Sequence, residues 1–233
     1  MSIARSWLRL VVWAFVIALA AAVPARAAAI RGVVLFAGTV EERKKLPVTI
    51  DQYVCGKEKD AEDLVVGQGR GIRNAVVWLQ TPPEGARVDV SPPKVEMDQK
   101  TCLFSPRVVL VPAGGTVEFL NSDRLLHNLH SVSKENPSFN RTQPRGRVIP
   151  ITFARPEIIR VNCDLHSWMR GWIVVADHPF YALSNETGEF VLPNVPPGTY
   201  TLQIWQESLG VTTQPVTVGA QDARVTVELK ARP

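Results

Sequence analysis

The residues best equipped for chemistry lie close together. Cys163-Asp-Leu-His166-Ser-Trp-Met169 places a thiol, an imidazole and a thioether at C-x2-H-x2-M spacing, and His127-Asn128-Leu129-His130 lies upstream. The whole chain has only three Cys, four His and three Met, one of them Met1, so this concentration is selective. Methionine sulfur is soft and neutral and is not among the usual zinc ligands, whereas two His, one Cys and a weak axial Met define a blue-copper site. One thiolate gives Cu(II) a covalent bond, while imidazoles and a distant thioether also suit Cu(I). The candidate ligands are His127, Cys163, His166 and Met169.

Such a set needs elements that bring distant residues together. Short runs rich in β-branched and apolar residues recur between Gly, Pro and Asn breaks, from Ile30 to Phe36 through to Arg224 to Leu229. The mature chain has no long segment with a helical apolar period, so an all-β fold of sandwich type is expected. His127 follows the strand-like Gly115 to Asn121, and the other three candidates occupy a loop between strand candidates Glu157 to Val161 and Trp172 to Val175. One end of a sandwich then presents all four ligands. The charged stretch Glu41 to Arg73 and the Pro-rich stretch Gln80 to Lys94 read as long surface connections.

With these residues in view, the region from Pro93 to Ala176 resembles the cupredoxin family, most closely its amicyanin-like members with a short Cys-x2-His-x2-Met loop. The matching pieces are Gly-Gly-Thr-Val-Glu-Phe-Leu-Asn121, His127-Asn128-Leu129-His130, Thr152-Phe153, Asn162-Cys163-Asp-Leu-His166 and Met169-Arg-Gly171. The resemblance implies a Greek-key β-sandwich with one type 1 copper ion held by His127, Cys163, His166 and Met169. It also implies that Asn128 ties the two ligand loops together and that an exposed edge near His166 passes the electron. Asp164, Ser167, Trp168 and the polar segment Lys134 to Arg147 depart from the pattern. Trp168 is either a packing residue or a ring that keeps water from the metal. His130 is expected beside the site rather than on the metal, and His178, before Pro179, in a turn.

Arg5 and Arg9, the uncharged run Leu10 to Val23 and Ala25-Arg26-Ala27 have the layout of a secretory signal peptide over residues 1–27. The apolar run is shorter than the roughly 20 residues that span a bilayer, so no stable membrane insertion after cleavage is expected. Export to the periplasm is the implied location. Thiols oxidise there, so Cys55 and Cys102 are expected to form a structural disulfide, the alternative being an additional copper or redox site.

Beyond the copper region, Ala182 to Trp205 carries Thr187-Gly188-Glu-Phe190 and Pro196-Pro-Gly198-Thr-Tyr200. These resemble the carboxypeptidase regulatory-like, transthyretin-like β-sandwich family, whose usual first strands have counterparts far upstream at Ile30 to Gly38 and Asn74 to Leu79. The expected organisation is therefore residues 28–87 and 178–233 forming that immunoglobulin/transthyretin-like sandwich, with the cupredoxin domain, 88–177, inserted in it or packed beside it.

The formal charge of +4 owes three units to Arg5, Arg9 and Arg26, leaving 23 basic against 22 acidic side chains. That balance gives no footprint for nucleic acid and no strong electrostatic steering. Four histidines are too few for a multicopper oxidase, and Ser167 lacks a nucleophile elbow. The expected function is a periplasmic one-electron carrier, not an enzyme, serving a redox partner such as a dehydrogenase or a c-type cytochrome. The alternatives are a copper-handling protein or a non-redox binding scaffold.

Overall fold

The computed structural model describes residues 27–89 and 94–231; residues 1–26, where most of the expected signal peptide falls, lie outside them. The chain is all-β, as its patterning implies. It opens with β1 (Ala28–Phe36), a small hairpin of β2 (Lys45–Pro47) and β3 (Glu58–Asp60) around the one-turn helix Gln52–Cys55, and β4 (Val76–Leu79). Next come β5 (Val95–Lys100), β6 (Leu103–Ser105), β7 (Val108–Pro112), β8 (Gly115–Asn121), β9 (His127–Ser131), β10 (Phe139–Gln143), β11 (Ile149–Phe153), β12 (Glu157–Asn162) and β13 (Arg170–Ala176). The chain ends with β14 (Tyr181–Leu183), β15 (Glu189–Val195), β16 (Gly198–Gln206), β17 (Gly210–Val218) and β18 (Ala223–Leu229). No helix among the described residues is long and apolar enough to cross a membrane.

Two sandwiches result. In the outer one, sheet β15-β1-β18 packs on sheet β14-β4-β16-β17 around Ile30, Val34, Leu79, Leu192, Leu202 and Ile204, all buried. β1 runs antiparallel to β15 and parallel to β18, and β4 is antiparallel to β14 and β16. Strands from the start of the chain therefore complete sheets made mostly from its end. Gly188, in the turn before β15, adopts φ +80°, and a Cβ there would lie 2.3 Å from the Val34 carbonyl of β1. Only glycine fits where these chain ends meet.

In the inner sandwich, sheet β10-β9-β12-β13-β7 faces sheet β11-β8-β5-β6 across Met97, Phe104, Phe119, Leu129, Phe153, Ile159 and Ile173. β8 shows strict alternation of buried and partly exposed residues, as a half-buried strand must. Where the sandwiches meet, Val76, Val108 and Val174 pack with Trp78, Trp172 and Trp205. Arg107 Nε donates to Glu207 at 2.6 Å there, and Trp172 Nε1 donates to the same carboxylate at 3.0 Å. A buried pair with this many partners fixes the docking geometry more than it adds stability.

One stretch differs from its expected role, and the segment that departs from the family pattern takes a place in a sheet. Glu41 to Arg73 is not merely a surface connection: Val48 and Cys55 are 2% exposed and join the inner core. The polar segment Lys134 to Arg147 holds β10, which lies at a sheet edge, pairs with β9 through backbone, and fully buries only Gln143. An edge strand needs little apolar surface.

Candidate metal centre

The inner sandwich delivers the candidate ligands from two places. His127 opens β9, directly after a turn held by buried Asn121, whose Nδ2 donates to the carbonyls of Leu125 (3.0 Å) and Gln143 (2.8 Å). Cys163, His166 and Met169 occupy the loop between β12 and β13. That loop is closed on itself: the Met169 amide donates to the His166 carbonyl at 2.8 Å, and the Cys163 amide to the Met169 carbonyl at 3.3 Å. All four side chains are buried, none more than 2% exposed.

Three donor atoms converge. His127 Nδ1 and His166 Nδ1 are 3.0 Å apart, and Cys163 Sγ lies 3.8 and 3.4 Å from them respectively. First-row metal bonds of about 2.0–2.3 Å radiating from one ion at angles of about 95–125° put such donors about 3.0–3.8 Å apart, so the triangle fits a single ion. The opposite nitrogens are already engaged, His127 Nε2 by Asp123 Oδ2 at 2.9 Å and His166 Nε2 by Asp51 Oδ2 at 3.1 Å. A carboxylate accepts, so each imidazole in its neutral form carries its proton on Nε2 and turns the Nδ1 lone pair inward. Two lone pairs and a sulfur face one another in a dry core, an arrangement that a bound cation satisfies.

The electrostatics follow. Burial alone would lower the His127 pKa, but Asp123 and the Cys163 sulfur outweigh it and raise it to about 9. Burial also works against the charge on Asp123, yet His127 and the amides of Cys102 and Thr101 hold its carboxyl below the usual range. His166 is lowered, chiefly by burial and further by neighbouring His127, with Asp51 opposing. In the metal-free protein the first proton on the imidazole pair therefore belongs to His127.

Around the donors, Asn128 Oδ1 accepts from the Asp164 amide at 2.6 Å and its Nδ2 donates to Asp164 Oδ2 at 3.0 Å, which ties β9 to the ligand loop. The Trp168 ring lies 5.2 Å from the His166 ring, centroid to centroid, and its Nε1 donates to the Cys102 carbonyl at 3.0 Å. Cys102 and Cys55 are joined as a disulfide with Cα atoms 5.4 Å apart. His130 points away from the donors, as a residue three along a strand must, and contacts Asp164 at 2.8 Å. His178 is buried in the turn before β14; its nitrogens hydrogen-bond to backbone, and Asp177 Oδ1 lies 3.7 Å from Nε2.

One expectation is corrected. His166 offers no exposed edge: it is fully buried, because the segment from Val48 to Gly56 folds over it and sets Asp51 on its Nε2. Sequence reasoning misses Asp51 and Asp123 as site residues. Their faint signals are an acid four residues before Cys55 and an acid four residues before His127.

The profile of polysaccharide lyase family 4, domain II, matches residues 151–226, a stretch running from β11 of the inner sandwich into β18 of the outer. No curated protein sequence matches this one. Among solved structures the chain is similar to a Cu-containing nitrite reductase from Thermus scotoductus SA-01, at 26% identity over 42% of this chain, with a TM-score of 0.34. It spans 27% of that reductase's length. It is also similar to a purple cupredoxin from Nitrosopumilus maritimus, at 21% identity over 35% of this chain and 99% of that one, with a TM-score of 0.32. A third similarity is to a point mutant of amicyanin in its reduced Cu(I) form, at 20% identity over 43% of this chain and 98% of that one, with a TM-score of 0.34.

Proposed function

We propose that this chain is an exported type 1 copper protein that carries single electrons between redox partners and transforms no substrate. The observation that carries this reading is the convergence of His127 Nδ1, His166 Nδ1 and Cys163 Sγ, with each imidazole's far nitrogen held by a carboxylate. Copper bound there supplies a one-electron Cu(I)/Cu(II) couple. His127, Cys163 and His166 are its strong ligands and Met169 its weak thioether ligand. Asp123 and Asp51 fix the two rings, so the donors need move little between oxidation states. Buried Trp168, its ring on that of His166, helps to exclude water.

Burial of every donor favours electron transfer over copper handling, since passing on an ion requires ligands that a recipient can reach. Leu126, Leu165, Ile50 and Tyr53, each within two residues of a ligand or of Asp51, are exposed apolar side chains, 45% to 81% accessible. They support docking of a redox protein, such as a dehydrogenase or a c-type cytochrome, at this end of the molecule. The N-terminal apolar run and the disulfide support a periplasmic location. The outer sandwich acts in this reading as a regulatory-like scaffold.

A visible and EPR titration of the purified mature protein with Cu(II), beside Cys163→Ser, tests the proposal. An intense thiolate-to-copper band with narrow copper hyperfine splitting, absent from the variant, is the expected result. Tight binding without that band would turn the reading to copper handling, and no specific binding would leave a scaffold.

A further inference from the structure

The segment over His166 is built in a way that ordinary loop closure does not require. Asp51 adopts the left-handed backbone region, φ 56° and ψ 33°, where an Asp side chain is tolerated better than most. Its carbonyl accepts from the amides of Val54 (3.0 Å) and Cys55 (2.9 Å), and Gln52 Nε2 donates to the Val48 carbonyl at 2.7 Å. The turn is thus set by its own hydrogen bonds. Val48 and Cys55 point into the core while Tyr53, 81% exposed, points out, so the segment lies flat with Asp51 aimed at His166 Nε2.

Its two tethers converge on one residue. Cys55 is bonded to Cys102, whose amide donates to Asp123 Oδ2 at 2.7 Å, and that same oxygen holds His127 Nε2. The Cys102 carbonyl accepts from Trp168, whose ring lies on His166. The disulfide therefore links the carboxylate orienting one histidine to the segment carrying the carboxylate that orients the other.

We propose that Asp51 is a positioning residue for His166, and that the disulfide-anchored segment Val48–Gly56 closes the metal centre, so that reagents and the ion pass only when it lifts. The proposal rests on the reading of this cluster as a metal site, but closure itself is a property of the polypeptide. It replaces an open histidine edge with a latched one: Asp51 at the centre and Cys55–Cys102 at the rim.

The test uses the one cysteine outside the disulfide. In the metal-free full-length mature protein, the alkylation of Cys163 by iodoacetamide is followed by mass spectrometry, with circular dichroism to verify folding. Asp51→Ala is expected to speed alkylation at least fivefold. Asp51→Asn, whose amide oxygen still accepts from Nε2, stays within twofold of wild type. Adding Cys55→Ser and Cys102→Ser to Asp51→Ala speeds alkylation at least tenfold; if that triple variant does not fold, the two Asp51 variants decide. In copper-loaded protein, Asp51→Ala loses the metal to excess chelator faster by a similar factor, and Asp51→Asn raises the reduction potential because a negative charge leaves a ligand. Equal alkylation rates in folded wild type and Asp51→Ala would overturn the closure, even if the variant melted at a lower temperature. Asp51-dependent shielding in a protein that shows no blue band would overturn the proposed function alone and support the closure.

Discussion

The two sandwiches both bury polar side chains, and the difference lies in where those groups spend their hydrogen bonds. In the outer sandwich His178 Nε2 donates to the Leu79 carbonyl at 3.1 Å, and its Nδ1 accepts from the Phe180 amide at 3.2 Å. Ser184 Oγ donates to the Ile72 carbonyl at 2.6 Å and accepts from the Ala75 amide at 2.8 Å. Each group spends its hydrogen bonds on backbone, and the further neighbour of His178 Nε2 is the Asp177 carboxylate at 3.7 Å rather than a metal donor. In the inner sandwich His127 and His166 spend only one nitrogen each and turn the other toward a thiol. Burial does not mark a site; unspent donors converging in a buried place do.

Truncating the two cores breaks or sharpens that contrast most strongly. Leu79→Ala in the outer core and Leu129→Ala in the inner core each remove a fully buried side chain and are expected to cost about 2–5 kcal/mol by urea unfolding. Only Leu129→Ala is expected to alter the copper absorption, because β9 also carries His127. An altered spectrum in Leu79→Ala would mean that the outer sandwich shapes the metal centre.

The second test is proton linkage. His127 has its pKa raised to about 9 from 6.5, so in metal-free protein its stabilising contribution is complete below about pH 6.5 and lost as the pH rises through about 9, a swing of about 3 kcal/mol. His166 and His178 are lowered by burial and act with the reverse sign, destabilising as the pH falls below about 6.5. The quantity to follow is therefore the stability of wild type minus that of His127→Asn across pH 5–10. It is expected to be largest at the acid end. Protons and copper compete for His127, so copper affinity should climb with pH and level off above about 9. A flat difference profile would remove Asp123 and Cys163 as the source of the shift.

β8 is legible in the sequence because its apolar residues alternate, and β13 because it holds a continuous apolar run; β9, which carries His127, is not, since four of its five residues are polar. Nor is β5, since its buried positions are Met97 and Gln99, with Val95 partly buried, and a fully buried glutamine interrupts the apolar reading. Gln99 Nε2 donates to Gln143 Oε1 of β10 at 2.7 Å, a partner 44 residues away that no local pattern reveals, while its own Oε1 is buried without a hydrogen-bond partner. The ligand set is legible for the opposite reason, because Cys, His and Met are rare in this chain and their spacing is local. Asp51 is hidden: its partner His166 is 115 residues distant, and a charged segment with one cysteine resembles any exposed loop.

Ser184→Ala tests the outer side of the comparison at smaller scale. It leaves the Ile72 carbonyl and the Ala75 amide unpaired in a dry place, and about 1–3 kcal/mol of stability should be lost with the copper spectrum unchanged. A loss below that range would mean that water replaces the hydroxyl.

Asp164 should give the smallest effect, although it sits inside the ligand loop. His130 chiefly, with help from Asn140 and Asn128, holds its carboxyl below the usual range, outweighing the opposing effect of burial. Its contribution is therefore present above about pH 3.8 and lost as the pH falls further. Asp164 and His130 are both more than a third exposed, so water screens the pair and Asp164→Asn should cost less than about 1 kcal/mol. The tie that matters for Cys163 is the Asp164 amide on Asn128 Oδ1, which this substitution keeps. The absorption maximum should stay where it is in Asp164→Asn and move in Asn128→Ala. If both variants shift it equally, the carboxylate itself acts on the copper, and the division between spent and unspent polar groups fails at the surface of the site.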